Sequence, residues 1–290
     1  MLKLRILTAG VLAVLLAVGL FALPPRATVL AIGVVLTLGA WEWAAFGALR
    51  AVPARLAYAA ALALLWFLAW RWTDSRGSLL ILLSIACAWW SLAFLWLLLA
   101  PERHRASLAL LAGVAVLVPA FVALARLEVA RLEVSTPAVG TLGVGGFEIA
   151  HHDAVRGPQI VLWLILIVIA ADIGAFFAGR RFGRRKLAPR VSPGKTWEGL
   201  CGGLLAVALV AAAAAFDLHL APLPSVAFAC AVGIFSVIGD LTESMFKRGA
   251  GLKDSGTILP GHGGVLDRID SVTAAAPLYA LGLFGAGVIR

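Results

Sequence analysis

The chain has 290 residues, 62% of them hydrophobic and only 13% charged, with a net charge of +9. A soluble domain carries about a quarter charged residues, so a water-soluble fold would expose apolar surface over most of its outside; that class is excluded and lipid is the implied solvent. The basic residues are scattered between apolar runs rather than gathered on one polar face, which argues against a nucleic-acid partner and for the positive-inside bias of a membrane protein, with attraction to anionic lipid.

A hydrocarbon core of about 30 Å needs roughly 20 apolar residues of helix. That criterion predicts nine spans, at about 6–23, 28–49, 56–72, 78–100, 106–125, 159–178, 200–216, 224–242 and 271–289. None alternates with a period of two, and unpaired backbone groups cannot face lipid, so the predicted class is an all-α integral membrane protein. The first run follows Lys3 and Arg5 and imitates a signal peptide, but no small-x-small cleavage site precedes Pro24 and Pro25. It is expected to stay as the first helix. Trp66, Trp70 and Trp72 lie towards a span end, where an indole sits at headgroup level, whereas Trp89, Trp90 and Trp96 fall deeper and suit packing. Cys87, Cys201 and Cys230 each lie inside an apolar run, without metal-type spacing, so neither a disulfide framework nor a zinc site is implied.

Placing the N-terminus in the cytosol puts 17 of the 24 Lys and Arg residues on the inner side, and nine spans then leave the C-terminus external. Three parts follow: five N-terminal spans over 1–125, an external loop at 126–158, and a catalytic region at 159–290 with cytosolic loops at 180–198 and 243–270. The external loop has a Gly-rich stretch at 139–146, then His151, His152 and Asp153. Neighbouring positions rarely converge on one ion, so a solvated loop is the expectation there.

The chemistry-bearing residues lie further on. Asp172 falls about two turns inside span six, where an ionised acid costs a few kcal/mol unless it faces a wet or paired site. Ser192-Pro193-Gly194-Lys195-Thr196 reads as a shaped turn offering a hydroxyl and an ammonium to a phosphate, without the spaced glycines of a P-loop. At the end of span eight, Asp240, Glu243, Ser244 and Lys247 share one helical face. Glu243 and Arg248 fit the expectation of polar groups meeting water at a helix end; Asp240 does not, because it directly follows a long apolar run. Between Lys253 and Asp270 runs a small-residue loop whose backbone N–H groups can approach an anion, with Lys253, His262 and Arg268 to neutralise it. Asp267 and Asp270 stand where the last helix begins, and capping is one reading of either. Hard oxygen ligands grouped in this way suit Mg²⁺ held jointly with substrate phosphates, and do not suit zinc.

Ser244-x-Phe246-Lys247-Arg248, then Lys253-Asp254-x-Gly256, then Leu259-Pro260-x-His262-Gly263-Gly264-Val265-x-Asp267-Arg268-x-Asp270 resembles the signature of the phosphatidate cytidylyltransferases (CDP-diacylglycerol synthases) without departure. Asp172-x-Gly174-Ala175-Phe176, Ser192-Pro193-x-Lys195-Thr196-x-Glu198-Gly199 and Trp41-Glu42-Trp43 are similar to the same family. The resemblance is specific over roughly 159–272. It implies transfer of a cytidylyl group from CTP to phosphatidate, giving CDP-diacylglycerol and pyrophosphate in phospholipid biosynthesis, at the cytosolic side of the inner membrane. It implies Mg²⁺, with room for a second metal ion, and a homodimer. Asp240 and Asp267 are the expected metal-holding pair, with Asp172 and Asp270 beside them. Lys247, Lys253 and Arg268 would bind the triphosphate or the lipid headgroup. Ser192, Lys195, Ser244 and His262 would complete the phosphate shell, with Asp254, Gly263 and Gly264 in the substrate loop. Two other readings remain open at this stage. A CTP-dependent lipid kinase or polyprenyl-phosphate sugar transferase would share the acidic helix ends but not this loop pattern, and a secondary transporter would be expected to show internal repeats.

Overall fold

In the computed structural model the described residues are 2–99, 106–131, 157–218, 220–259 and 263–290, with side chains described from residue 10 onward. Among them are nine helices, one for each expected span: α1 Leu2–Phe21, α2 Pro25–Trp43, α3 Val52–Trp72, α4 Arg76–Leu99, α5 Ala106–Val129, α6 Gly157–Phe182, α7 Trp197–Asp217, α8 Pro222–Gly249 and α9 Leu266–Gly285. Seven of these, α2 to α8, are long and apolar enough to cross a membrane. The protein is multi-pass. Prolines open α2, α3 and α8 at the first turn, where a missing N–H costs nothing and the fixed φ already suits the helix. Outward faces stay apolar: Phe216 is 84% exposed and Leu223 81%, which water would penalise and lipid does not.

The helix α9 is not one of the seven, for a structural reason. Its start carries Asp267, Arg268 and Asp270, and its later turns are small residues, Ala274, Ala275, Ala276 and Ala280, all buried. It packs against α2, α4, α5, α6 and α8, so its surroundings are protein and it needs no strongly apolar outer face. The prolines inside α5 and α9, Pro119 and Pro277, are likewise buried among neighbouring helices.

The pair α6 and α7 is bound by close approach rather than by bulk. A Cβ on Gly202 would stand 2.1 Å from Ala178 Cβ, and one on Gly174 would stand 2.6 Å from the carbonyl oxygen of Gly202. Only small residues let two backbones come so near. The link between the two helices holds the one pair of strands among the described residues, a short antiparallel hairpin of β1, Lys186–Ala188, and β2, Ser192–Thr196. The segment 192–196, expected as a turn, is therefore a strand. The reversal comes just before it, where the Val191 N–H donates to Ala188 O at 3.2 Å. Thr196 then caps α7 by accepting from the Gly199 N–H at 3.1 Å, and Glu198 accepts from the backbone N–H groups of Arg184 and Arg185. The hairpin is thus locked to the start of α7.

At one end of the bundle, Trp43, Phe46, Phe246 and Trp96 form an aromatic cluster with centroid separations of 5.3 to 5.7 Å, and Trp43 Nε1 donates to Ala109 O at 2.7 Å. This joins α2, α4, α5 and α8 directly beneath the loop that leads into α9. At the opposite end Arg126 stacks over Trp70 at 4.0 Å and donates to Asp74 Oδ1 at 2.9 Å. That hydrogen bond holds the exposed Asp74 carboxyl below its ordinary range. Trp66, expected at headgroup level, is instead 3% exposed and stacks on Phe121; the aromatic body fills a gap between α3 and α5. All three cysteines are free. The His151, His152 and Asp153 group, with most of the expected external loop, lies outside the described residues.

Gly202→Leu is expected to lower thermal stability in detergent by about 1–3 kcal/mol or more through overpacking. Gly19→Ala, where nothing lies within 4 Å of the added Cβ, should not lower the midpoint in the same unfolding assay.

Candidate active site

Asp267 stands in the first turn of α9 and is held through both oxygens. Oδ1 accepts from Lys247 Nζ at 2.5 Å, and Oδ2 accepts from the N–H groups of Ser255 and Gly264, each at 2.9 Å. Lys247 also reaches back one turn of α8 to Glu243 Oε1 at 3.0 Å. This triad is secluded, with Lys247 8% and Glu243 2% exposed. Attraction within it is strong because little water screens it, and Lys247 is the single cation shared by two acids. The loop is shaped to allow this. Gly263 has φ +83°, in the left-handed region, and a Cβ there would stand 2.9 Å from Asp267 Oδ2.

Two turns up α8 from Lys247, Asp240 is more open, its side chain 28% exposed. Ser244 Oγ donates to Asp240 Oδ1 at 3.2 Å, and Lys195 Nζ of β2 lies 2.7 Å from Oδ2. The hairpin is thereby tied to α8. Asp172 of α6 is within electrostatic reach of Asp240, Lys195 and Arg268. Asp270 is within reach of Asp240, Lys247 and Lys195, and its carbonyl oxygen is where a Cβ on Gly239 would collide, at 2.7 Å. Four elements, α6, β2, α8 and α9, therefore bring Asp172, Asp240 and Asp270 together with Lys195, Lys247 and Arg268 into one charged cleft.

This donor set fits a hard cation only in part. Among the described residues no group of three or more His, Cys, Asp or Glu side chains converges on a metal position. Magnesium, however, takes one or two carboxylates and fills the remaining positions with water and substrate phosphates. Asp240, with an open side and two like-charged neighbours, matches that need. A metal shared by Asp240 and Asp267 would require Lys247 to give up Asp267 Oδ1.

The sequence matches the cytidylyltransferase family across residues 3–284. The chain belongs to that family. A curated relative from Pseudomonas aeruginosa, named phosphatidate cytidylyltransferase, is 41% identical over 99% of this chain and 98% of its own length. One of the same name from Haemophilus influenzae is 39% identical over 97% of this chain and 98% of its own length. A third, from Brucella suis, is 44% identical over 49% of this chain and 54% of its own length.

Within this cytidylyltransferase, most of the site residues expected from sequence do meet. Asp172, Lys195, Asp240, Ser244, Lys247, Asp267, Arg268 and Asp270 share the cleft. Gly263 and Gly264 shape the loop above it. Ser192 opens β2, four residues after Ala188, with which it pairs. Lys253 and Asp254 are exposed at the rim of the loop. His262 lies outside the described residues. Glu243 corrects an expectation: it is buried against Lys247 instead of meeting water, because α8 runs on to Gly249 with neighbours on that face. Two further residues carry the site without having been singled out for it. Ser255 is 6% exposed and bonds Asp267 through its N–H. Glu42, noted only as part of a motif, is 2% exposed and bonds the loop from α2. Its one signal in the sequence was an acid between two tryptophans at the end of an apolar span.

Lys247→Met leaves two acids without their shared cation, and removing one partner of a buried pair costs about 3–5 kcal/mol. Thermal unfolding in detergent should register that loss. Neutralising all three, Lys247→Met with Glu243→Gln and Asp267→Asn, should recover much of the stability and none of the activity.

Proposed function

We propose that this chain is a phosphatidate cytidylyltransferase of the inner membrane, joining CTP and phosphatidate into CDP-diacylglycerol with release of pyrophosphate, in a cleft facing the cytosol. The observation that supports it best is the Asp240–Lys195 contact. It closes a charged cleft at an end of a lipid-embedded bundle, within a chain alike over its whole length to relatives of that name. The strong Lys and Arg bias towards that end supports the cytosolic orientation. The seven helices long and apolar enough to cross, with α1 and α9 beside them, support nine spans, and the Lys and Arg bias supports an N-terminus inside. The family resemblance supports a homodimer.

The reaction is an in-line displacement. A phosphate oxygen of phosphatidate attacks the α-phosphorus of CTP, the bond from that phosphorus to the bridging oxygen breaks, and pyrophosphate leaves with the electron pair. The attacking oxygen is already ionised at neutral pH, so positioning and charge cancellation are the main requirements. Lys195, Lys247, Lys253 and Arg268 gather and neutralise the phosphates. Ser192, Ser244 and His262 donate to their oxygens, and Gly263 and Gly264 let the backbone come close. Asp254, at the loop rim, helps to orient the nucleotide. Asp240 is the principal carboxylate for Mg²⁺, with Asp172 and Asp270 beside it, and Asp267 fixes the loop and Lys247. Bound magnesium would cancel charge on the reacting phosphates and hold them in line. The acyl chains remain in lipid while the headgroup enters the cleft, which accounts for a site at the helix ends.

Purified protein in detergent with phosphatidate, α-labelled CTP and Mg²⁺ is expected to yield a labelled CDP-lipid and pyrophosphate. Label transferred only from the γ-position would identify a lipid kinase instead. Asp240→Asn should reduce turnover about a hundredfold or more, the scale of removing one charge-stabilising group, while size-exclusion profiles stay those of the folded protein.

A further inference from the structure

Among the nine helices, α2 contributes one charged side chain to the active-site end, and it is buried. Glu42 is 2% exposed. Oε1 accepts from the Val265 N–H at 3.1 Å; Oε2 accepts from the Leu266 N–H at 2.8 Å and from Ser255 Oγ at 2.9 Å. The three donors are neutral and all belong to the loop before α9 or to its first turn, more than 200 residues away in the chain. We propose that Glu42 is a positioning residue for cytidylyl transfer: carried in on α2, it clamps Ser255, Val265 and Leu266 and thereby fixes Asp267, which in turn sets Lys247 for the substrate phosphates. The inference rests on the function proposed above.

Three observations carry it. First, the loop is built around this carboxylate. A Cβ on Gly256 would stand 2.2 Å from Glu42 Oε1, and one on Gly264 would stand 2.5 Å from Oε2 and 2.0 Å from Ser255 Oγ. The smallness of Gly264 thus serves Glu42 as well as any phosphate. Second, the clamp passes directly into the site. Ser255 donates from its hydroxyl to Glu42, accepts from the Asp267 N–H at 3.3 Å, and donates its own N–H to Asp267 Oδ2. Asp267 in turn holds Lys247. Third, Glu42 and Ser255 between them occupy the N–H groups of Leu266 and Asp267 at the start of α9, where a helix attracts anions. A buried carboxylate is stabilised there by the helix end. Substrate phosphate is consequently left to the side chains of the cleft and not to these first N–H groups of α9.

Glu42→Gln keeps the shape but turns an amide N–H₂ towards a donor and removes the charge. The expected result is a kcat at least about tenfold lower per folded molecule, since small misplacement of reacting groups is costly, with KM for phosphatidate changed by less than about threefold. Hydrogen exchange should rise in the peptide covering 253–267 and stay unchanged in α6 and α7. Ser255→Ala should raise exchange in the same peptide, and adding it to Glu42→Gln should cost little more than Glu42→Gln alone, as for two members of one network. If the glutamine variant does not fold, Ser255→Ala carries the test by the same kcat and exchange criteria. The proposal is overturned if folded Glu42→Gln turns over within twofold of the parent, or if exchange at 253–267 is unchanged. A wild-type protein that made no CDP-lipid would overturn the proposed reaction and leave the exchange result to judge the clamp.

Discussion

The buried contact between Lys247 and Asp267 is the joint on which the active-site end of the molecule turns. It links the last turns of α8 to the first turn of α9, and each partner is engaged on its far side as well, Lys247 by Glu243 and Asp267 by two backbone N–H groups. An ammonium and a carboxylate removed from water are costly singly and tolerable together. The pairing therefore fixes how far α8 must extend beyond its apolar stretch and where α9 must start. On either side of the link between them, Ser255 and Gly264 are bonded to Asp267. The glycines at 256, 263 and 264 are the places where side chains would strike Glu42, Asp267 or Ser255.

Lipid supplies the complementary constraint. Backbone groups in hydrocarbon must be satisfied within the chain, so helices were legible from hydropathy alone, and each of the nine stands where an apolar run stands. What hydropathy misses is the role of each helix. α9 reads as one more span, yet it is enclosed by protein, because its small residues admit five neighbours. The hairpin at 186–196 was invisible as a hairpin for a related reason. A strand containing Pro193 and Gly194 has weak local propensity, and it is held by register with β1 and by the capping and hydrogen bonds of Thr196 and Glu198.

The candidate site divides in the same way. Residues whose polarity conflicts with their surroundings announced themselves: Asp172 within a span, Asp240 after one, and the Gly-rich loop with its acids. The partners that hold them did not. Glu243 looked like a solvated helix end because its burial comes from neighbouring helices that no local pattern encodes. Ser255 is one serine in a polar loop, and its value lies in bonding two carboxylates from opposite ends of the chain. Asp267 was legible as functional, but which of its oxygens remain available is a question of three-dimensional partners, and here both are taken.

The placement of these charges also answers how an enzyme can work on a substrate that is half lipid and half anion. Charges at mid-membrane carry a penalty that falls away towards the interface. On the proposed function, the site lies towards the ends of α6, α8 and α9, where lysines and an arginine would meet the phosphates of a lipid headgroup. The flanking helix faces are exposed and apolar, as at Phe176 and Phe177, and would suit acyl chains. Neither part of the substrate has to leave the medium that suits it, and only the phosphates must exchange water for protein. What the protein must then provide is rigidity at the interface, where helices end and fray. The hairpin locked to α7, the ion triad between α8 and α9, and the acid brought in on α2 each stiffen one such end.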